Sequence, residues 1–449
     1  MGNNVILKRK IYNELVKWKN ESNGKTAMLI EGARRVGKST IAEEFAKNEY
    51  KSYLLIDFNK VSDEVKQVFI NERENIDLFF NSIKQYYGIE LYERESLIIF
   101  DEVQCFPIAR SYIKYLVQDG RYDFLETGSL ISIKENVQDI VIPSEEESIK
   151  MYPLDFEEFL WAMGNTVAMP FLKDCFDNKK SIGPLHNKFM RDFRTYILVG
   201  GMPQAVIEYV NTKSFASVDK VKKEILNLYH KDIMKYSGNN KTKVLSIYDR
   251  IPGQLSKGNK RFLLSSISNS ARNRDYEEAF EWLAESMIIN LCFNTTDPNI
   301  GLALTSDETS IKCYSSDTGL LITQTFLNKS YLDNELYKAI LFDKLSINEG
   351  MIMENYVAQA LRCKGYDLYF YTKYDDNVED TMEIDFIIVQ DKKMNPIEVK
   401  SGRYNKHTSI DRFKKKYSKN VGTRYVLHTK DLKIENDIVY LPLYMTIFL

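Results

Sequence analysis

The chain has 449 residues, more than one hydrophobic core usually serves, so two or three domains are expected. Its 44% hydrophobic and 28% charged content is that of a globular protein and excludes disordered and collagen-like classes. A net charge of −2 supplies no general basic field, so any contact with nucleic acid has to come from a local patch.

The opening MGNNVILKRK lacks the long apolar core of a signal peptide, and Ile6 stands where a myristoylation signal wants Ser or Thr. No apolar run approaches the ~18–20 residues that span a bilayer. The five cysteines (Cys105, Cys175, Cys292, Cys313 and Cys363) are scattered and form no CxxC. Cys105 and Cys292 lie in apolar sequence and are expected as buried free thiols, which fits a reducing, cytoplasmic location. His186, His230, His407 and His428 share no ligand spacing, which argues against zinc.

Ile11, Leu15 and Trp18 follow a helical period over residues 8–20. From Ala27 to about 130, apolar strands alternate with helical stretches, the rhythm of a parallel α/β sheet. The expected strands are Ala27–Ile30, Tyr53–Asp57, Ser96–Asp101 and Tyr122–Thr127. Between the first strand and a helix opening at Thr40 lies Gly32-Ala33-Arg34-Arg35-Val36-Gly37-Lys38-Ser39. Glycines at those two places let backbone N–H groups curl around a β-phosphate, with the positive end of the helix dipole behind them. Lys38 supplies charge to the β- and γ-phosphates, and Ser39 a hydroxyl to Mg²⁺. The segment Gly32–Thr40 is therefore the expected Mg·ATP site. Leu97-Ile98-Ile99-Phe100 ends in Asp101-Glu102, which places Asp101 to hold Mg²⁺ through water and Glu102 to polarise an attacking water. Thr127 and Ser129, at the next strand end, are either γ-phosphate sensors or plain polar ends. Arg34 and Arg35 either touch phosphate or pair with acids.

From about 150 to 330 the pattern is mainly helical: Gly200-Gly201 before Pro203 marks a turn between helices, and Ile225–Ile233, Lys243–Leu255 and Tyr276–Met287 read as helices. Extended pieces at Ile288–Phe293 and Ile311–Ser315 then suggest a winged helix-turn-helix, with three-helix packing as the alternative. After a helix over Met353–Lys364, strands return at Tyr369–Thr372, Glu383–Gln390 and Asn395–Lys400, and the apolar tail Leu441–Leu449 reads as a last buried strand.

The last two strands form a hairpin spelling D-x₁₂-E-x-K, with Asp385, Glu398 and Lys400. Glu398 and Lys400 share one face, Asp385 joins from the partner strand, and Glu354 on the preceding helix can add a further ligand. Two carboxylates for Mg²⁺ and a lysine beside the attacking water are what phosphodiester hydrolysis needs. The triplet E-x-K is cheap: Glu49–Lys51 and Glu64–Lys66 spell it too, away from any hairpin. Lys400, Arg403, Lys406, Arg412, Lys414, Lys415, Lys416 and Lys419 crowd the next stretch against Asp411 alone, a track for a DNA or RNA backbone or a solvated helix face.

GARRVGKST, LIIFDEVQ, LETGSL, YPLDFEEFL and ILVGGMPQAV together resemble a large group of prokaryotic ATP-binding proteins. In them an AAA-type ATPase domain is joined, through a helical and winged-helix region, to a C-terminal PD-(D/E)xK nuclease-like domain. The resemblance runs in order from about residue 8 to the C-terminus. It implies three domains, 1–165, 166–340 and 341–449, the last of restriction-endonuclease-like α/β fold. The family often carries a Gly-Arg pair before YPLDFEEFL; this chain reads Ile142-Pro143-Ser144-Glu145-Glu146-Glu147-Ser148-Ile149 instead, which removes one candidate arginine finger. AAA-type relatives often form rings, but no finger arginine here demands one.

Overall fold

The computed structural model describes residues 6–128, 144–257, 260–269, 271–327, 349–373, 381–400 and 407–449. Ser129, Arg403 and Lys406 of the sequence reading lie outside them. Contacts divide the chain into two compact units, one of Lys8–Tyr152 and one of the chain from Pro153 on. Among the described residues no helix is long and apolar enough to cross a membrane.

In the first unit the elements run α1 (Ile11–Ser22), β1 (Ala27–Gly32), α2 (Lys38–Glu49), β2 (Ser52–Asp57), α3 (Asp63–Asn71), α4 (Ile76–Tyr87), β3 (Ser96–Asp101), α5 (Pro107–Asp119), β4 (Asp123–Gly128) and β5 (Glu146–Met151). The sheet order is β2-β3-β4-β1-β5 and every pairing is parallel. Successive strand residues point to opposite faces, and the sequence uses both. Met28, Ile30, Leu97, Ile99 and Leu125 pack with Ile41, Ala42 and Phe45 of α2 and with Leu15 and Trp18 of α1. Their neighbours Leu29, Ile98, Phe100 and Phe124 pack with Val65, Phe69, Phe79, Phe80, Tyr112 and Ile113 of α3, α4 and α5. Each strand end therefore lies between two packed layers, which fixes where its terminal side chain sits. Capping is local: Ser62 and Asn75 accept from Val65 and Leu78 N–H, and Gly88 closes α4 at φ +64°.

The second unit continues with α6 (Phe156–Ala162), α7 (Ala168–Asp177), α8 (His186–Val199), α9 (Pro203–Thr212), α10 (Phe215–Tyr236), α11 (Lys241–Leu255), α12 (Glu277–Glu285), β6 (Ile289–Thr295), β7 (Ser306–Ser315) and α13 (Thr318–Thr325). Then come α14 (Glu349–Cys363), β8 (Leu368–Lys373), β9 (Met382–Gln390), β10 (Lys393–Val399), α15 (Thr408–Lys416), β11 (Arg424–His428), β12 (Lys433–Glu435) and β13 (Ile438–Pro442). One mixed sheet takes them in the order β12-β13-β11-β10-β9-β8-β6-β7. The strand pair expected beside the helices is thus an antiparallel β6–β7 hairpin, and β6 also pairs in parallel with β8. Strands on both sides of the expected boundary at 340 belong to a single sheet. Gly200 and Gly319 are where two backbone turns meet: a Cβ on Gly319 would lie 2.5 Å from Gly200 Cα. Buried Asp317 ties that crossing, accepting from Gly201 N–H at 2.6 Å and Leu320 N–H at 2.8 Å.

Two local expectations are corrected. The tail past Pro442 is a 3₁₀ turn, Leu443–Phe448, and not a strand; β13 ends before it because Pro442 cannot donate onward in a ladder. Cys105 is exposed, with its Sγ 3.1 Å from Asn59 Oδ1, because it lies in a short 3₁₀ turn past the end of β3; Cys292 is buried.

Candidate nucleotide site and C-terminal carboxylate cluster

β1 delivers the chain to Gly32 in the sheet interior, and the loop Ala33–Gly37 turns it into α2. Gly37 caps α2 at φ 103°, where a side chain would be strained, and Arg35 takes φ 68° within the turn. Gly32 is needed for a different reason: its backbone lies against β5, and a Cβ would fall 2.5 Å from Met151 carbonyl oxygen. Ala33 and Val36 are buried beneath the loop, while Arg34, Arg35 and Thr40 are exposed around it. Arg9, which the sequence reading passed over, braces the turn from below by donating to Val36 O at 3.1 Å and Tyr152 O at 2.6 Å. A lone arginine in a polar N-terminal stretch carries no signal of that role.

Lys38 is buried and donates to Gly32 O at 2.9 Å and Ala33 O at 3.2 Å, so its ammonium sits across the mouth of the loop. Burial pushes its pKa down, and the nearby Glu102 and Asp101 carboxylates oppose that shift. Ser39 Oγ donates to Asp101 Oδ1 at 2.7 Å, which brings the loop and the β3 tip together. Thr127, at the end of β4, donates to the same Asp101 oxygen and accepts from Glu102 N–H at 3.2 Å. Its hydroxyl is thereby committed to orienting the acidic pair. Glu102 is half-buried at φ 56°, and Gln104 Nε2 donates to its carboxylate. Lys38, Ser39, Asp101, Glu102 and Thr127 thus converge at the carboxyl ends of β1, β3 and β4, where open parallel sheets bind ligands. A hydroxyl and a carboxylate 2.7 Å apart, beside a buried ammonium and a helix N-terminus, are a donor set that fits Mg²⁺ and a polyphosphate.

A second charged group lies deeper in the same unit. Arg110 of α5 donates twice to Glu146, from Nε at 3.2 Å and Nη2 at 2.7 Å. Beside it Glu126 is fully enclosed, and neither of its oxygens has a hydrogen-bond partner among the described residues. Burial and then the Glu146 carboxylate push Glu126 well above the ordinary carboxylate range.

In the second unit the hairpin β9–β10 is antiparallel with Ile397 opposite Phe386, so Asp385 and Glu398 fall across from one another. Asp385 Oδ2 accepts from Val399 N–H at 2.8 Å, Glu398 Oε1 accepts from Ile410 N–H at 3.0 Å, and Lys400 Nζ lies 2.8 Å from Glu398 Oε2. Glu354 of α14 joins them but is held by Lys260, and by the Tyr314 hydroxyl at 3.2 Å. The sequence reading missed Lys312 of β7, which is fully buried and lies 3.2 Å from Glu383 and 3.8 Å from Asp385. Burial alone would lower the Lys312 pKa, but Glu354, Asp385 and Glu383 outweigh it and raise it. Burial raises Glu354 and Glu398. Among the described residues no group of three or more His, Cys, Asp or Glu is arranged to hold a metal ion.

The basic stretch is partly committed to the fold. Arg412 donates to Thr381 O at 2.8 Å, Lys414 to Val421 O at 3.4 Å and Lys416 to the Tyr371 hydroxyl at 2.9 Å, whereas Lys415 and Lys419 are exposed.

A five-stranded parallel sheet with a glycine-bracketed loop, lysine and acidic strand tip defines the first unit as a P-loop nucleoside triphosphatase fold. More narrowly, it is an AAA-type P-loop ATPase domain: the family model described as AAA domain matches residues 24–160. Two further models, Domain of unknown function (DUF8612) and Domain of unknown function (DUF4143), match residues 190–331 and 349–445. No curated protein matches the chain. Among solved structures, the Walker-type ATPase of Pyrococcus abyssi is similar at 14% identity and TM-score 0.41, over 72% of this chain and 97% of that one. A signal transduction ATPase with numerous domains and a tetratricopeptide repeat sensor, from Pyrococcus horikoshii, is similar at 12% identity and TM-score 0.28, over 80% of this chain and 48% of that one.

Proposed function

We propose that the chain binds Mg·ATP on Gly32–Thr40, hydrolyses it, and uses the nucleotide state as a switch for a nucleic-acid-directed second unit. The observation that carries the ATPase reading is the meeting of Ser39, Asp101 and Thr127 beside Lys38. Ser39 and Asp101 would hold Mg²⁺, which supplies charge neutralisation when bound. Lys38 leaves its carbonyl partners for the β- and γ-phosphates, and the loop amides take the anionic oxygens. Glu102, its backbone fixed by Thr127, polarises the attacking water.

The nucleic-acid part rests on the nuclease-like resemblance of the C-terminal hairpin and on exposed Lys415 and Lys419. Lys38→Ala and Asp101→Ala are each expected to abolish phosphate release from ATP. Turnover measured with single-stranded DNA, duplex DNA and RNA is expected to rise with one of them, and no stimulation by any would remove nucleic acid as the partner. A second reading, in which the C-terminal module binds DNA or protein without cutting, is favoured by the lysines set among Glu354, Asp385 and Glu398.

A further inference from the structure

The nuclease-like hairpin implies a divalent cation held by Asp385, Glu398 and Glu354, and the side chains around those carboxylates do not fit one. Four of the six carboxylate oxygens accept a hydrogen bond, and the other two, Asp385 Oδ1 and Glu398 Oε2, face ammonium groups as ion pairs. Glu354 has the Lys260 ammonium and the Tyr314 hydroxyl. Asp385 has Val399 N–H at 2.8 Å and the Lys312 ammonium at 3.8 Å. Glu398 has Ile410 N–H at 3.0 Å and the Lys400 ammonium at 2.8 Å.

Of the three ammonium groups, Lys260 and Lys400 retain some exposure and can swing toward solvent, as an active-site lysine would. Lys312 cannot. It is enclosed on β7, its side chain 1% exposed, between Glu383, Asp385 and the Phe370 ring, with its Nζ 4.9 Å from that ring's centre. A cation of charge two entering the cluster would meet a fixed positive charge with no route out, and burying like charges together is strongly unfavourable. An ammonium also offers only donors, so it satisfies carboxylates while adding nothing to a metal's coordination shell.

We infer that Lys312 is the resident cation of this cluster, taking the place of a divalent metal and making the site a closed ion lattice that locks β7 and α14 onto the β9–β10 hairpin. The inference is independent of nucleotide hydrolysis in the first unit, and its test uses no nucleotide.

The full chain is titrated with Mn²⁺ by calorimetry, with Mn²⁺ spin resonance counting retained ion, in the parent and in Asp385→Asn. Subtracting the two removes any metal held by the first unit. The parent is expected to show no Mn²⁺ binding that depends on Asp385. Lys312→Met, which keeps the volume and removes the charge, is expected to gain about one Mn²⁺ per chain, with a melting temperature that rises on adding Mn²⁺. Adding Asp385→Asn to Lys312→Met is expected to abolish that gain. Asp385-dependent Mn²⁺ binding in the parent would overturn the inference, and so would a folded Lys312→Met chain that gains none. Should Lys312→Met fail to fold, the parent against Asp385→Asn still decides the matter. Loss of ATP turnover, by contrast, would bear only on the first unit.

Discussion

Thr127→Val tests whether the acidic strand tip is held in place by β4. Threonine and valine have nearly the same shape, so the substitution opens no cavity in a residue with no exposed surface. It removes the hydrogen bond to Asp101, worth about 1.5–3 kcal/mol because the acceptor is charged. It also strips the partner from Glu102 N–H, whose 3.2 Å bond ends on the same hydroxyl, at about 1–3 kcal/mol. The two losses share one atom and are not additive, so about 3 kcal/mol is the working figure. If that orientation is required in the transition state, turnover falls about a hundredfold, at ~1.4 kcal/mol per factor of ten. Phosphate release from Mg·ATP is the assay, with affinity for a fluorescent adenine nucleotide measured alongside and urea unfolding reporting stability. Thr127→Ser keeps the hydroxyl and is expected to retain most of the turnover. A Thr127→Val chain as active and as stable as the parent would refute the reasoning.

Glu102→Gln is expected to keep nucleotide affinity and lower turnover by about a hundredfold or more, since general-base assistance is lost while the phosphate cradle stays intact; equal rates would remove Glu102 from the chemistry. Gly32→Ala is expected to abolish nucleotide retention, because its Cβ would sit 2.5 Å from Met151 O and force β5 from β1; an equilibrium binding titration decides it. Glu126 carries a pH prediction. Its folded pKa is raised above the ordinary 4.5, so the folded chain holds a proton that the unfolded chain gives up. Stability from this group is therefore greatest below 4.5 and declines as pH climbs above it. Glu126→Gln mimics the protonated form, and its gain in melting temperature over the parent is expected to widen from pH 5 to pH 8, as read by thermal melts; a constant difference would contradict the assignment. Gly319→Ala is expected to cost about 3 kcal/mol or more in urea unfolding, since the added methyl meets Gly200 backbone at 2.5 Å and backbone, not a flexible side chain, has to shift.

Much of the first unit was legible because its signals are contiguous. A buried parallel strand is an uninterrupted apolar run, and Ala27–Ile30, Tyr53–Asp57, Ser96–Asp101 and Tyr122–Thr127 each mark a strand to within two residues. The phosphate loop is a local motif whose glycine spacing states its own geometry. The Asp385–Glu398 hairpin was likewise readable from alternation. β5 was not, because Glu146–Met151 is an edge strand of mostly polar residues that pairs only when β1 is beside it. The Thr127 hydroxyl was left between a phosphate sensor and a plain polar strand end because its contacts with Asp101 and Glu102 depend on which strand lies next to β3, and strand order is not written in any one segment.

The same division holds for the second unit. The residues that can carry charge chemistry are evident along the chain, as are the periods that make helices and strands, because both are properties of neighbours in sequence. Which cation faces which carboxylate is not such a property. Lys312 reaches Asp385 only because β6 pairs with β8 and carries β7 to the edge of a sheet whose central strands come much later in the chain. Local pattern sets what each segment can be. Long-range pairing sets which charges must share a buried space, and there the low dielectric makes their partnership decisive.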